Sequence, residues 1–286
     1  MKFARFGGLA ALTAALAAVP ALANHSWNGY HWANAAGQVD LTVNYSVTSQ
    51  WTPSVLTAIS DWNPTGGVLA LTRAASSANR KRCSAISGQI LVCNEAYGPR
   101  GWLGIASITL DSQGHIKSGT TKLNDTYFNT ATYNKPEWRA LVACQEIGHD
   151  FGLGHQDEAF DNLNLGTCMD YTSNPLGGGA NGPLKNLHPN AHDFEQLGLI
   201  YNHFDSYTSS AAVVSTNFGI RDLRKPAPQV VDDGDPGDSP AEWGAAVHED
   251  GKGRPDVFAM DLPGGGRRVT HVFWALETKR SQIHHD

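Results

Sequence analysis

The segment from Gln145 to His155, QEIGHDFGLGH, concentrates side chains that can hold a metal ion and move a proton. On a helix, positions i and i+4 lie on one face about one turn apart, so Gln145 and His149 are expected to point together, with Glu146 beside them. Gly152 can take a positive φ without a Cβ clash, so a sharp turn there is expected to carry His155 back toward His149. The result is a three-cornered site of two imidazoles and an amide oxygen, with a carboxylate next to a fourth, open position. A metal ion so held lowers the pKa of bound water and polarises a carbonyl, and Glu146 is within reach to act as general base.

Cys168, Met169, Asp170 and Tyr171 follow downstream. The two segments together resemble the metzincin signature, H-E-x-x-H-x-x-G-x-x-H followed by a methionine turn. Glu146, His149, Gly152, His155 and Met169 fall on that pattern, and Gln145 stands where the family has its first ligand histidine. Tyr171, two residues past the methionine, matches the tyrosine that approaches the zinc in astacins and serralysins. The likeness spans roughly residues 38–205. It implies a zinc endopeptidase acting on protein or peptide substrates. The implied fold is α+β: a twisted mixed sheet with two helices, then a smaller C-terminal subdomain carrying the methionine turn and a final helix. It also implies that Tyr171 stabilises an oxyanion, and that Leu103, Gly104, Ile105 and Ala106 receive the peptide by strand addition, as in matrixins.

Gln145 leaves alternatives open. An amide oxygen is a poorer zinc donor than an imidazole nitrogen, so Gln145 either completes a site with His149, His155, Tyr171 and water, or stands aside. In the second case the chain is a secreted, non-catalytic binding protein on the same scaffold. A third reading uses His149, His155 and the Glu146 carboxylate for non-haem iron. His192 is a candidate replacement ligand. The loop with Asp157, Glu158, Asp161, Asn162 and Asn164 offers oxygens to Ca2+ but lacks EF-hand spacing.

The elements that must position these residues are legible in outline. Residues 38–46 alternate as a strand, and Thr52-Pro53 opens a helix whose Trp51, Val55, Ile59 and Trp62 share a face. Residues 68–71 read as a short strand, and residues 103–110 and 115–123 as a hairpin across Asp111-Ser112-Gln113-Gly114. A helix capped at Asn134, with Pro136 in its first turn, is expected to run to Gly152. Another is expected over residues 188–204, burying Phe194, Leu197, Tyr201 and Phe204. Residues 256–261 and 268–275 read as two strands of a small β appendage, with Trp243, Phe258, Phe273 and Trp274 forming a satellite core.

Lys2, Arg5 and the apolar run ending at Ala21-Leu22-Ala23 predict a signal peptide, residues 1–23, and export. The division that follows is a peptidase-like domain over 24–207, a Pro-, Asp- and Gly-rich linker over 208–240 and a β-rich region over 241–286. Loss of the leader changes the formal charge from −6 to −8, which excludes nucleic acid as a partner. No later stretch is apolar enough to span a membrane, and the mature chain is read as a monomer. Four cysteines in an exported chain predict two disulfides, with Cys83–Cys93 and Cys144–Cys168 preferred among three pairings.

Overall fold

The computed structural model describes residues 25–64, 66–211 and 234–276; the expected signal peptide, most of the linker and the His284-His285 tail lie outside them. The fold is α+β, and its eight-stranded mixed sheet has the order β2-β1-β3-β5-β4-β8-β7-β6. The strands are β1 (Val39–Ser46), β2 (Leu69–Ala75), β3 (Ile90–Glu95), β4 (Trp102–Leu110), β5 (Ile116–Asn124), β6 (Ala245–Glu249), β7 (Pro255–Asp261) and β8 (Arg267–Trp274). β1 pairs in parallel with β2 and β3, and β3 with β5; the remaining pairs are antiparallel. Among the described residues no helix is long and apolar enough to cross a membrane.

α1 (Thr52–Asp61) forms where Pro53 presets the first turn and Trp51, Val55, Ala58, Ile59 and Trp62 make one buried face. That face docks on the helix carrying Cys144, the Trp62 indole donating to the Cys144 carbonyl at 3.0 Å. α2 (Asp125–Phe128) is a single turn after β5, and Asp125 accepts the Trp51 indole N–H at 2.6 Å. α3 (Pro136–His149) is buried on nearly every side between the sheet and the C-terminal half. Its position over β4 depends on Gly104: a Cβ there would lie 2.6 Å from Val142 Cγ1 and 2.8 Å from Glu146 Cγ. α4 (Ala191–Ile200) and the short α5 (Pro240–Trp243) complete the helices used here.

Several elements differ from the sequence reading. α3 stops at His149, three residues before Gly152, and begins after Lys135, while the Asn134 side chain accepts from Arg139 instead of capping. α4 starts only after Asn190, whose side chain accepts from His192 N and Asp193 N while Asp193 caps Asn190 N in return, a capping box stronger than anything at His188. Phe204 is exposed, beyond the end of that helix. β3 has no counterpart in the sequence reading, because a short strand buried on both faces shows no alternation.

The expected β appendage is instead continuous with the main sheet. β8 pairs with β4 from Trp102↔Trp274 to Leu110↔Arg267. A bare β4 edge would present unpaired N–H and C=O groups, and β8 satisfies them. Trp243, Phe258 and Trp274 pack with Tyr97, Trp102, Ile105 and Val272 in a second apolar cluster, whereas Phe273 joins the main core. Cys83 is bonded to Cys93 and Cys144 to Cys168. The second bridge ties α3 to the turn carrying Met169, a constraint of about 2–4 kcal/mol.

Candidate metal centre

His149 closes α3, and its Nδ1 meets the Leu153 carbonyl at 2.7 Å. A carbonyl only accepts, so Nδ1 carries the proton and Nε2 the lone pair. His155 Nδ1 lies 3.3 Å from Glu158 Oε1, which fixes that ring in the same sense. The turn between them works as expected: Gly152 has φ +92°. A Cβ there would sit 1.8 Å from the Tyr30 carbonyl oxygen, because the N-terminal segment crosses directly over the turn. The rings of His149 and His155 are 4.9 Å apart, centroid to centroid.

The third imidazole comes from the far end of the chain. His271, on β8 opposite Ala106, lies 3.9 Å from the His149 ring and 4.6 Å from the His155 ring. One nitrogen from each of His149, His155 and His271 falls within 4.8 Å of the other two. His271 Nδ1 is 3.3 Å from Glu146 Oε2 and its Nε2 is 3.0 Å from the Tyr171 hydroxyl. Burial holds His149 and His271 well below the usual imidazole pKa, so both rings are neutral at physiological pH. Burial pushes the Glu146 carboxyl well up, with neighbouring Asp150 adding to the effect.

A metal ion fits these residues. His149 Nε2, His155 Nε2 and Glu146 Oε1 are buried and have no hydrogen-bond partner in the protein. Orphaned polar atoms of this kind are costly unless something satisfies them. Three imidazoles with a carboxylate alongside form the donor set of an open, first-row metal site.

The other predicted residues have distinct places. Gln145 is fully buried and donates from Nε2 to the Cys168 carbonyl at 2.7 Å, which pins α3 to the turn below it. Met169 lies under α3, its Sδ 2.6 Å from where a Cβ on Gly148 would stand. Tyr171 is buried, its ring tilted against that of His155 with centroids 4.1 Å apart, and it reaches Asp256 Oδ2 at 3.4 Å as well as His271. Leu103, Gly104, Ile105 and Ala106 do not form a free edge, since β4 is paired with β5 on one side and β8 on the other. Strand addition at β4 is therefore corrected: its hydrogen-bonding groups are already used by the chain's own C-terminal strand. His192 sits beside His25, ring centroids 4.9 Å apart, and is not among the three clustered imidazoles. In the acidic loop, Asp157 Oδ1 accepts from Ala159 N and Asn162, and Asn164 donates to the Asn174 and Leu184 carbonyls, so these groups serve the loop itself.

The clustered imidazoles border a cleft of about 630 Å³, walled by the N-terminal segment (His25, Trp27, Tyr30) on one side and by β6 to β8 (His248, Val257) on the other. That volume suits a small ligand or a short stretch of peptide.

Asp170, buried beside Met169, accepts from Leu165 N at 2.8 Å and Asn186 at 2.7 Å, while its Oδ1 has no partner. Burial raises its pKa to about 7. A folded-state pKa above the unfolded value gives stability that is complete below about pH 4 and is lost as pH rises through 7. Asp170→Asn, which mimics the protonated acid, removes that loss. Urea titrations are expected to show the variant gaining on the parent by something on the order of 3–4 kcal/mol between pH 4 and pH 8. A gap that stays constant across that range contradicts the assignment.

His271 was missed by sequence reasoning. It stands in an ordinary strand pattern, RRVTHVFW, more than a hundred residues from the signature, and no local spacing links the two.

A scan of protein-family models finds no match to this chain, and neither does a comparison with curated proteins. Among solved structures, that of myroilysin aligns with 62% of this chain and 84% of its own, at 13% identity and a TM-score of 0.33.

Proposed function

We propose that the chain is an exported, zinc-dependent hydrolase of peptide bonds, with its metal held by His149, His155 and His271 and with Glu146 as general base. The observation that carries this reading is the convergence of one nitrogen each from His149, His155 and His271, with the buried Nε2 atoms of His149 and His155 lacking a protein partner. Zinc bound there would supply an activated water and a polarised carbonyl.

The chain's own residues divide the remaining work. Glu146 uses Oε2 to orient His271 and keeps Oε1 for the proton taken from the nucleophile and passed to the leaving amine. The Tyr171 hydroxyl lies 3.0 Å from His271 Nε2, and a metal bound at that nitrogen would free it to donate to a developing oxyanion. The Gln145 bond to Cys168 and the Cys144–Cys168 bridge keep α3 and the Met169 turn rigid beneath the imidazoles. Because β8 fills the β4 edge, a peptide enters through the cleft between the N-terminal segment and β6 to β8. Export accords with the two disulfides and with the N-terminal leader pattern.

The test is elemental analysis of the purified chain together with cleavage of a denatured protein substrate. Zinc and chelator-sensitive cleavage are expected. Glu146→Gln should retain the metal and lose activity by roughly 10²–10⁴-fold. Iron in place of zinc would transfer the site to the non-haem iron reading. The filled β4 edge specifically favours a second reading, a binding protein on this scaffold. A zinc-loaded parent that cleaves nothing, with no difference between it and Glu146→Gln, would establish that reading instead.

A further inference from the structure

A second cluster of imidazoles lies outside the cleft. It joins three distant parts of the chain: His31 in the N-terminal segment, His115 at the turn between β4 and β5, and His203 with Asp205 just after α4. His31 Nδ1 meets the Gly29 carbonyl at 2.8 Å, so that ring carries its lone pair on Nε2. The same Nε2 faces His203 Nε2 at 3.1 Å and Asp205 Oδ2 at 3.6 Å, and His203 Nε2 is 3.5 Å from Asp205 Oδ1. Two ring nitrogens this close repel unless a proton or a cation lies between them.

We propose that His31, His203 and Asp205 form a second, structural site for a divalent zinc-like cation. At metal–ligand distances of about 2.0–2.1 Å, tetrahedral geometry sets neighbouring donor atoms about 3.3–3.4 Å apart. The two ring nitrogens, 3.1 Å apart, lie close to that value, and the Asp205 carboxylate turns one oxygen to each ring, Oδ2 to His31 at 3.6 Å and Oδ1 to His203 at 3.5 Å. Imidazole nitrogen with one carboxylate oxygen is a donor set for zinc-like ions, and too poor in oxygen for Ca2+.

The surroundings hold these donors in place. Asp205 Oδ2 accepts from Asn34 N at 2.7 Å, and His115 Nε2 flanks Asp205 Oδ1 at 3.2 Å. His115 is itself steadied through Nδ1, 2.8 Å from the Tyr207 hydroxyl, which donates to buried Asp111. The Gly29 carbonyl behind His31, and Asn34 N and His115 beside the Asp205 carboxylate, are outer-shell partners of the kind that orient metal ligands. The consequence is mechanical. Next to His31, Trp32 donates its indole N–H to the Asp150 carbonyl, and Tyr30 lines the cleft. An ion at His31 therefore clamps the segment that walls the cleft to the other end of the fold.

The experiment is a zinc count on the full exported chain and on variants, by equilibrium dialysis and elemental analysis, with the visible bands of tetrahedral Co2+ as a second readout. His155→Ala removes a cleft ligand and is expected to keep about one equivalent with tetrahedral Co2+ bands. His203→Gln, at a half-exposed side chain, is expected to lower the parent's uptake by one equivalent, and the double variant should bind none. Should His203→Gln match the parent in zinc count and Co2+ spectrum, or His155→Ala take up no metal, the proposal is overturned. A cluster bridged by protons alone gives those same two results. Because the His155→Ala count does not depend on the cleft, loss of the hydrolase reading would leave this test intact.

Discussion

Replacing His271 with alanine is expected to empty the cleft of metal and to abolish hydrolysis, although the residue lies more than a hundred positions from the H-E-x-x-H-like segment. His271 is fully buried, its ring lies 3.9 Å from that of His149, and it is the third imidazole of the cluster that His149 and His155 begin. Losing an outer-shell partner typically weakens metal binding by about 10–100-fold, and losing a ligand should exceed that. The loss also removes the group that orients Glu146. Zinc affinity by competition with a chromophoric chelator measures the effect, and circular dichroism checks that the variant is folded. Adding Gln145→His to His271→Ala offers an imidazole one helical turn from His149 and should restore part of the affinity. The opposite result, tighter metal binding or faster cleavage in His271→Ala, would mean that β8 plugs the site instead of completing it.

The second large effect is expected at Gly152, where alanine should cost 4 kcal/mol or more and leave most of the chain without native structure. Two terms add. A left-handed residue with a Cβ costs roughly 1–2 kcal/mol. The methyl would also press on the Tyr30 carbonyl oxygen 1.8 Å away, a backbone atom with no rotamer to escape into. The N-terminal segment is stitched to this turn by Trp27 N to Gly152 O at 2.7 Å and Gly154 N to His25 O at 2.5 Å, so it moves only with loss of those bonds. Destabilisation of this size is exceptional and needs such a named cause. Urea unfolding followed by tryptophan fluorescence reads it directly. A midpoint close to that of the parent would show that the segment does not cross over the turn.

These two residues divide what could be read from the chain. The spacing of Glu146, His149, Gly152 and His155 is local. A helix followed by a glycine turn permits one arrangement, and the structure has it, with Gly152 at positive φ and the two rings adjacent. Cysteine placement and the hairpin of β4 and β5 were equally local, since short loops leave few alternatives. Helix ends were less legible: α4 begins after Asn190 because of a reciprocal cap, which competes with Pro189 on terms that periodicity does not weigh.

What the sequence by itself determined, then, was the half of the candidate metal centre that α3 and its turn carry, because those side chains are fixed by backbone geometry within a dozen residues. Only the tertiary structure decided the other half. It placed β8 against β4, in a register that sets His271 opposite Ala106, and turned Gln145 toward Cys168. Strand pairing between distant segments is chosen by the whole sheet's need to satisfy its edges and cover its apolar faces, and no spacing rule within either strand records that choice.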